Sequence, residues 1–341
     1  MALQNAHELA DFNAKQQKRE QKFVADLQAF APEVFRVLED IAHKGLAEIL
    51  YDEGGTTLEF LARRLVDLKA SALAQPLRDL PARARLEKEG YRLVLNELVT
   101  VRTIFQYLLD FDQLTAPQRY SLLQRLGFRF NKEWQMANFQ GVEDHWLVIS
   151  QVYEQLESLT QRKSYLLGQH SGLFGVFIDY AFGNQGYKQQ GLLPGKRTRA
   201  WVWPYPSETG RIQVFTDPNE LCPVAKFVTA SETEVPQTPL PLRTFANLAE
   251  MRRHQLEQLS RHPWNPRVFG LLEDGRVMHT PDGLLFQSEG HAPLALQGTD
   301  EQQWAAAAVG NLPEVFPFVE LNEETVSILA IEYQGQIEAL A

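Results

Sequence analysis

From Phe23 to Leu50 apolar residues recur in steps of three and four, at Leu27, Phe30, Val34, Leu38 and Ile41. That spacing lays one stripe along one helix face. Pro32 lies inside the stretch and reads as the first turn of a new helix, so the pattern predicts either one helix or two. Gly45 is an interior glycine or a break, and Asp52–Gly55 is a loop. Thr56 and Glu59 then stand at capping-box spacing before Leu58, Leu61, Leu65 and Leu68. Pro76 and Pro81 are expected to end that helical region. Leu98, Val101, Phe105 and Leu108 mark another helix. Thr115 is the expected N-cap of the next, with Pro117 in its first turn and Gly127 as its stop. A last helix is expected over Glu143–Leu159, with Trp146, Val152, Leu156 and Leu159 on one side.

Beyond about residue 163 the period changes from helical to two. Ser164–Gln169 and Leu173–Phe182 read as strands joined by His170–Gly172, and Arg199–Tyr205 and Arg211–Phe215 as two more. Phe245–His262 returns to helical spacing. Arg267–Gln287 contains Asp274–Gly275 and Asp282–Gly283 between apolar runs, which predicts hairpins. Thr299–Gly310 is a short helix with Thr299 and Gln302 as a cap pair, and strands close the chain. The expected fold is α+β: a helical domain over 1–163, then a mainly antiparallel β domain with one or two helices over 164–341. A Pro- and Thr-rich long loop falls near 229–241.

Charge narrows the partners. The chain has 33 Lys+Arg against 43 Asp+Glu, a net charge of -10. A phosphate backbone is repelled by that average, so nucleic acid is not the expected partner. Cys222 is the single cysteine, which excludes an internal disulfide and a Cys-rich zinc module and fits a reducing compartment. The N-terminal stretch is polar, and no window approaches the roughly 18 apolar residues of a membrane span. The expected location is cytoplasmic.

Candidate chemistry is sparse. Gly168, Gly172 and Gly175 lie in a strand–turn–strand setting, not between a strand and a helix as a dinucleotide fingerprint requires. Gly191–Thr198 resembles a phosphate loop, but Pro194 removes an N–H donor and Arg197 stands where Ser or Thr would hold magnesium. The eight histidines form no H-E-x-x-H pattern, and no metal or cofactor is expected. Asp179 alternates onto the less apolar side of its strand and reads as a hydrogen-bonded aspartate rather than a catalytic one. Trp201, Trp203 and Tyr205 share one strand face near Lys196, Arg197 and Arg199. They form either a stacking platform for single-stranded nucleic acid or an aromatic core face, and the core is favoured. The candidates for a binding surface are therefore Arg162, Asp179, Lys196, Arg197, Arg199, Trp201 and Trp203; no catalytic residue is assigned.

The stretch Leu159–Ser207 resembles a segment of bacterial SWIM zinc-finger family proteins. The matching residues are Gln161, Arg162, Leu166, Gly168, Ser171, Gly172, Asp179, Ala181, Pro194, Gly195, Tyr205 and Pro206, with Tyr180 where that group often has Phe. Val37–Leu50, Leu61–Leu80 and Gly270–Phe286 followed by Trp304–Phe316 resemble further elements of the family, in the same order. The family's C-x-C…C-x-H element is expected before the helix near Val34, and those cysteines are absent. The resemblance thus implies the family's body without its zinc. It also implies a partner of a MoxR-type AAA+ ATPase and von Willebrand A-type system. With no convergent catalytic set beside two large structured halves, the expected role is a non-enzymatic interaction subunit or adaptor. The alternatives are a nucleic-acid binder using the basic–aromatic strand, and a hydrolase or transferase built around Asp179 and Arg162.

Overall fold

The structure is a computed structural model and describes residues 2–339 except 48, 50–55, 87–89, 157–158, 184–185, 190, 208, 231–241, 282, 299, 310–313, 323–324 and 335. The expected loop near 229–241 lies, from 231 onward, outside the described residues, as do Thr299, Gly310 and the side chain of Thr56. The chain has a helical N-terminal half followed by a strand-rich half with a few helices, the α+β arrangement expected. It divides into two compact units, Met1–Trp134 with Arg261–Asn265, and Gln135–Ser260 with Pro266–Ala341.

In the helical unit, α1 (Ala2–Lys44) runs unbroken through Pro32. Leu27, Phe30, Ala31 and Val34 are all buried around that proline, and this packing outweighs the one backbone hydrogen bond it removes. Gly45, at φ +96°, ends the helix and returns its N–H to the Ile41 carbonyl. Next come α2 (Thr56–Asp67) and α3 (Ser71–Leu86). Pro76 and Pro81 were expected to terminate the region but lie inside α3, whose Leu73, Leu77, Leu80 and Ala84 are buried on one face. The same burial argument applies: the helix is held by its apolar stripe. α4 (Gly90–Leu109) buries Val94, Leu98, Val101, Ile104, Phe105 and Leu108. α5 (Ala116–Leu126) starts with the Thr115/Gln118 capping box and ends at Gly127, φ +92°. Trp264 donates its indole N–H to Ser121 Oγ at 2.9 Å within this unit. No helix among the described residues is long and apolar enough to cross a membrane.

After the short α6 (Lys132–Asn138) comes a strand where a helix was expected, β1 (Gln140–Leu156). Val142, Trp146 and Val148 bury one face, and Leu147 and Ile149 the other. A strand buried on both faces reads as a near-continuous apolar run, which mimics helical spacing. Its β-branched Val142, Val148, Ile149 and Val152 favour the extended form. β2 (Leu159–Gly168), β3 (Phe174–Phe182), β4 (Arg197–Pro204), β5 (Arg211–Phe215) and β6 (Lys226–Thr229) follow.

β1 pairs antiparallel with β4 through its first half and with β2 through its second, with a register shift between Val148 and Ser150. β2 pairs with β3, β3 runs parallel to β5, and β5 returns to β4. The order β1-β2-β3-β5-β4-β1 therefore closes on itself. This is the connectivity of a five-stranded OB-type barrel, with β6 added to β1 outside the ring. Trp146, Val148, Leu166, Phe177, Val202, Ile212 and Val214 fill its interior. Gly175 is needed at the β3–β5 closure, because a Cβ there would overlap the Ile212 side chain.

The second sheet contains β7 (Thr244–Phe245), β8 (Arg267–Leu272), β9 (Arg276–Thr280), β10 (Gly283–Gln287), β11 (Leu294–Gln297), β12 (Val315–Asn322), β13 (Thr325–Tyr333) and β14 (Gln336–Ala339). The helices α7 (Leu248–Arg261) and α8 (Asp300–Val309) lie between these strands in the chain. Its order is β7-β8-β12-β13-β11-β10-β9, with β14 also on β13. The Asp274–Gly275 turn was expected to close a hairpin and does not, because β8 pairs with β12 and β7 while β9 pairs with β10. The Asp274 carboxylate is instead taken by Ser288 and Glu289, and a Cβ on Gly275 would overlap the Phe286 ring. One core joins barrel and sheet: Leu147, Ile149, Tyr165, Phe174 and Val176 pack on Phe318, Leu329 and Ala330.

Candidate functional site

At one end of the barrel, β2 and β3 replace inward apolar residues with a charge pair. Arg162 and Asp179 are cross-strand partners in register. Arg162 Nε donates to Asp179 Oδ1 at 3.0 Å and Nη2 to Oδ2 at 2.7 Å, a bidentate fork. The two side chains are 4% and 10% exposed. Nη2 also donates to the Gln189 carbonyl at 2.7 Å, and the Tyr187 ring centroid lies 4.2 Å from the guanidinium carbon.

The segment between β3 and β4 is held here by more than that pair. Gln151 Nε2 donates to Ser164 Oγ and to the Leu192 carbonyl at 2.8 and 2.9 Å. Thr216 Oγ1 donates to Gln189 Oε1 at 2.6 Å, and Thr198 Oγ1 to the Gly191 carbonyl at 2.9 Å. Leu192 is fully buried in the barrel core. Gln189, Gly191 and Leu192 therefore floor the barrel, and Arg162 and Asp179 hold that floor. Both carboxylate oxygens of Asp179 are engaged by the Arg162 fork.

At the β2–β3 turn, sequence reasoning missed a second cluster. Asp144 is buried and accepts backbone N–H groups from His145 at 2.7 Å and Ser171 at 2.8 Å. His170 adds its backbone N–H at 3.1 Å and its Nδ1 at 2.8 Å. Burial pushes the Asp144 carboxyl upward, but the donors from Ser171, His170 and His145 outweigh it and hold the group below its ordinary value. Nothing in the spacing of residues 144 and 170 signals this contact; only the β1–β2 register creates it. Gly168→Ala should destabilise by about 1–3 kcal/mol, as overpacking does. Its Cβ would collide with Ser171 Oγ and sit 2.7 Å from Asp144 Oδ2. A shift in urea midpoint checks this.

The basic–aromatic strand separates into two parts. Lys196, Arg197 and Arg199 are exposed. Trp201 and Trp203 are 7% and 0% exposed and pack with Met136 and Phe215. Trp203 Nε1 donates to the Lys226 carbonyl at 3.1 Å. Arg199 Nε donates to Glu143 Oε1 at 2.6 Å, and its guanidinium lies 5.4 Å from the Trp201 ring. A base cannot stack on either indole as placed. The outer face of β1–β2–β3, which OB barrels commonly present to oligonucleotides, is covered here by the second sheet.

The helical unit presents apolar surface instead. Tyr91, Leu95, Val99 and Leu109 on α4 are about half exposed, and Leu86 of α3 is 88% exposed. The first three are four residues apart and line one helix face. A groove of about 570 Å³ adjoins this face, lined by Phe35, Leu38, Ala42, Gln106 and Leu109 together with the charged Glu39, Arg102 and Asp110.

The fold is thus that of a helical bundle joined to a barrel-and-sheet body, with its conspicuous charge pair spent internally. Residues 18–126 match the model of the SWIM-associated four-helix bundle domain. The matched segment runs from within α1 to the end of α5. No curated protein and no solved structure matches the chain.

Proposed function

We propose that this chain is a cytoplasmic, non-enzymatic interaction subunit or adaptor whose helical unit docks a protein partner. The observation that carries the reading is the apolar stripe of Tyr91, Leu95 and Val99 on the outer face of α4. Contiguous exposed apolar surface of this kind is characteristic of interaction sites. The match to a SWIM-associated bundle covers the same helices and is compatible with such a role. The partner proposed is an AAA+ ATPase of the MoxR type or its von Willebrand A-type companion.

The test is affinity purification from native extract, with the wild-type chain against Leu95→Glu/Val99→Glu. Both positions are exposed, so the variant is expected to keep its helicity. The wild-type chain should retain an AAA+ or A-type protein, and the variant should lose at least tenfold of it. Recovery of neither protein, or equal recovery by both chains, would overturn the proposal.

A further inference from the structure

We propose that Asp144, His145 and His170 form a binding site for a divalent transition-metal ion of the zinc class. One candidate ligand atom from each lies within 4.8 Å of the others. The set joins β1 to the β2–β3 turn, two segments 26 residues apart in the chain. Two imidazoles and a carboxylate suit zinc, nickel or copper rather than magnesium or calcium, which prefer all-oxygen sets.

The carboxylate ligand is positioned before any ion arrives. Asp144 is fixed by backbone N–H groups from three successive contacts, His145, His170 and Ser171. Its Oδ1 already receives the His170 ring at 2.8 Å. A cation takes the place of the proton in that bond: the neutral imidazole carries its proton on Nε2, and Nδ1 and Oδ1 each donate a lone pair to the metal. Ligands about 2.0–2.1 Å from a tetrahedral zinc stand roughly 3.3 Å apart, so the pair opens by about half an ångström. His170 has the freedom for this, its side chain being 42% exposed. His145 is also exposed, and the two ring centroids are 6.2 Å apart, so rotation of its ring brings the third ligand in.

Neighbouring charge and sterics do not oppose the ion. Arg199, opposite His145 in register, directs its guanidinium to Glu143. Gly168 leaves the space that a Cβ would take from Asp144 and Ser171. Water completes the coordination on the solvent side. The bound ion clamps the β2–β3 turn onto β1, which stabilises the barrel by mass action, growing with the logarithm of the free ion concentration once that exceeds the dissociation constant.

The experiment is calorimetric titration of chelator-treated protein with zinc chloride. The wild-type chain should bind one ion with a dissociation constant in the micromolar range. His145→Ala and His170→Ala should each weaken binding at least tenfold, and His279→Ala, on β9, should not change it. Both cluster histidines are exposed, so the variants should keep the wild-type circular dichroism spectrum. Absence of binding below about 100 μM, or binding unchanged in His145→Ala/His170→Ala, would overturn the site.

Discussion

Arg162→Met is expected to destabilise the barrel by about 3–5 kcal/mol, the cost of leaving one partner of a buried ion pair alone. Asp179 would remain buried without its fork, and the Gln189 carbonyl would lose its charged donor. The floor between β3 and β4 should loosen together with the pair, so hydrogen exchange should quicken in β2, β3 and residues 186–192. Replacing both partners, as Arg162→Met/Asp179→Leu, should restore most of the lost stability, because no uncompensated charge is then left inside. Urea unfolding followed by tryptophan fluorescence checks both values. A loss below 1 kcal/mol in the single variant, typical of an exposed pair, would contradict the role given to these residues.

Trp203→Ala should cost about 3–5 kcal/mol, the range for deleting a large buried aromatic. The indole is fully buried, contacts the Phe215 ring edge-on at 5.6 Å and donates to the Lys226 carbonyl. The substitution thus empties the outer core beneath α6 and strands β6 from one of its tethers. A nucleic-acid platform predicts something different: unchanged stability and lost affinity for single strands. Thermal melting and a single-strand binding titration on the same variant separate the two. Unchanged stability would remove Trp203 from the core.

Much of the helical half is legible in the chain. The stripe at Leu27, Phe30, Val34 and Ile41, the Thr115/Gln118 cap and the Gly127 stop are local signals, each carried by neighbours along a single helix. The prolines misled, because a local rule about hydrogen bonds was outweighed by burial along the whole of α1 and α3. β1 misled for a related reason: both of its faces are covered, so the alternation that marks a half-exposed strand is missing. The candidate site was partly legible. Arg162 and Asp179 could be placed at one candidate site, but not as an ion pair, which needs β2 and β3 in one register. Asp144 and His170 carried no signal at all.

The sequence alone determined a helical half followed by a strand-rich half, the caps that bound α5, and the acidic balance of the chain. These depend on neighbours within a few positions, where backbone sterics and side-chain spacing act directly. The tertiary structure decided what closes on what: the return of β5 to β4, the strand state of residues 140–156, and the partners of Asp274, Asp179 and Asp144. Those outcomes rest on contacts between distant segments, whose register is fixed only when competing faces are buried together.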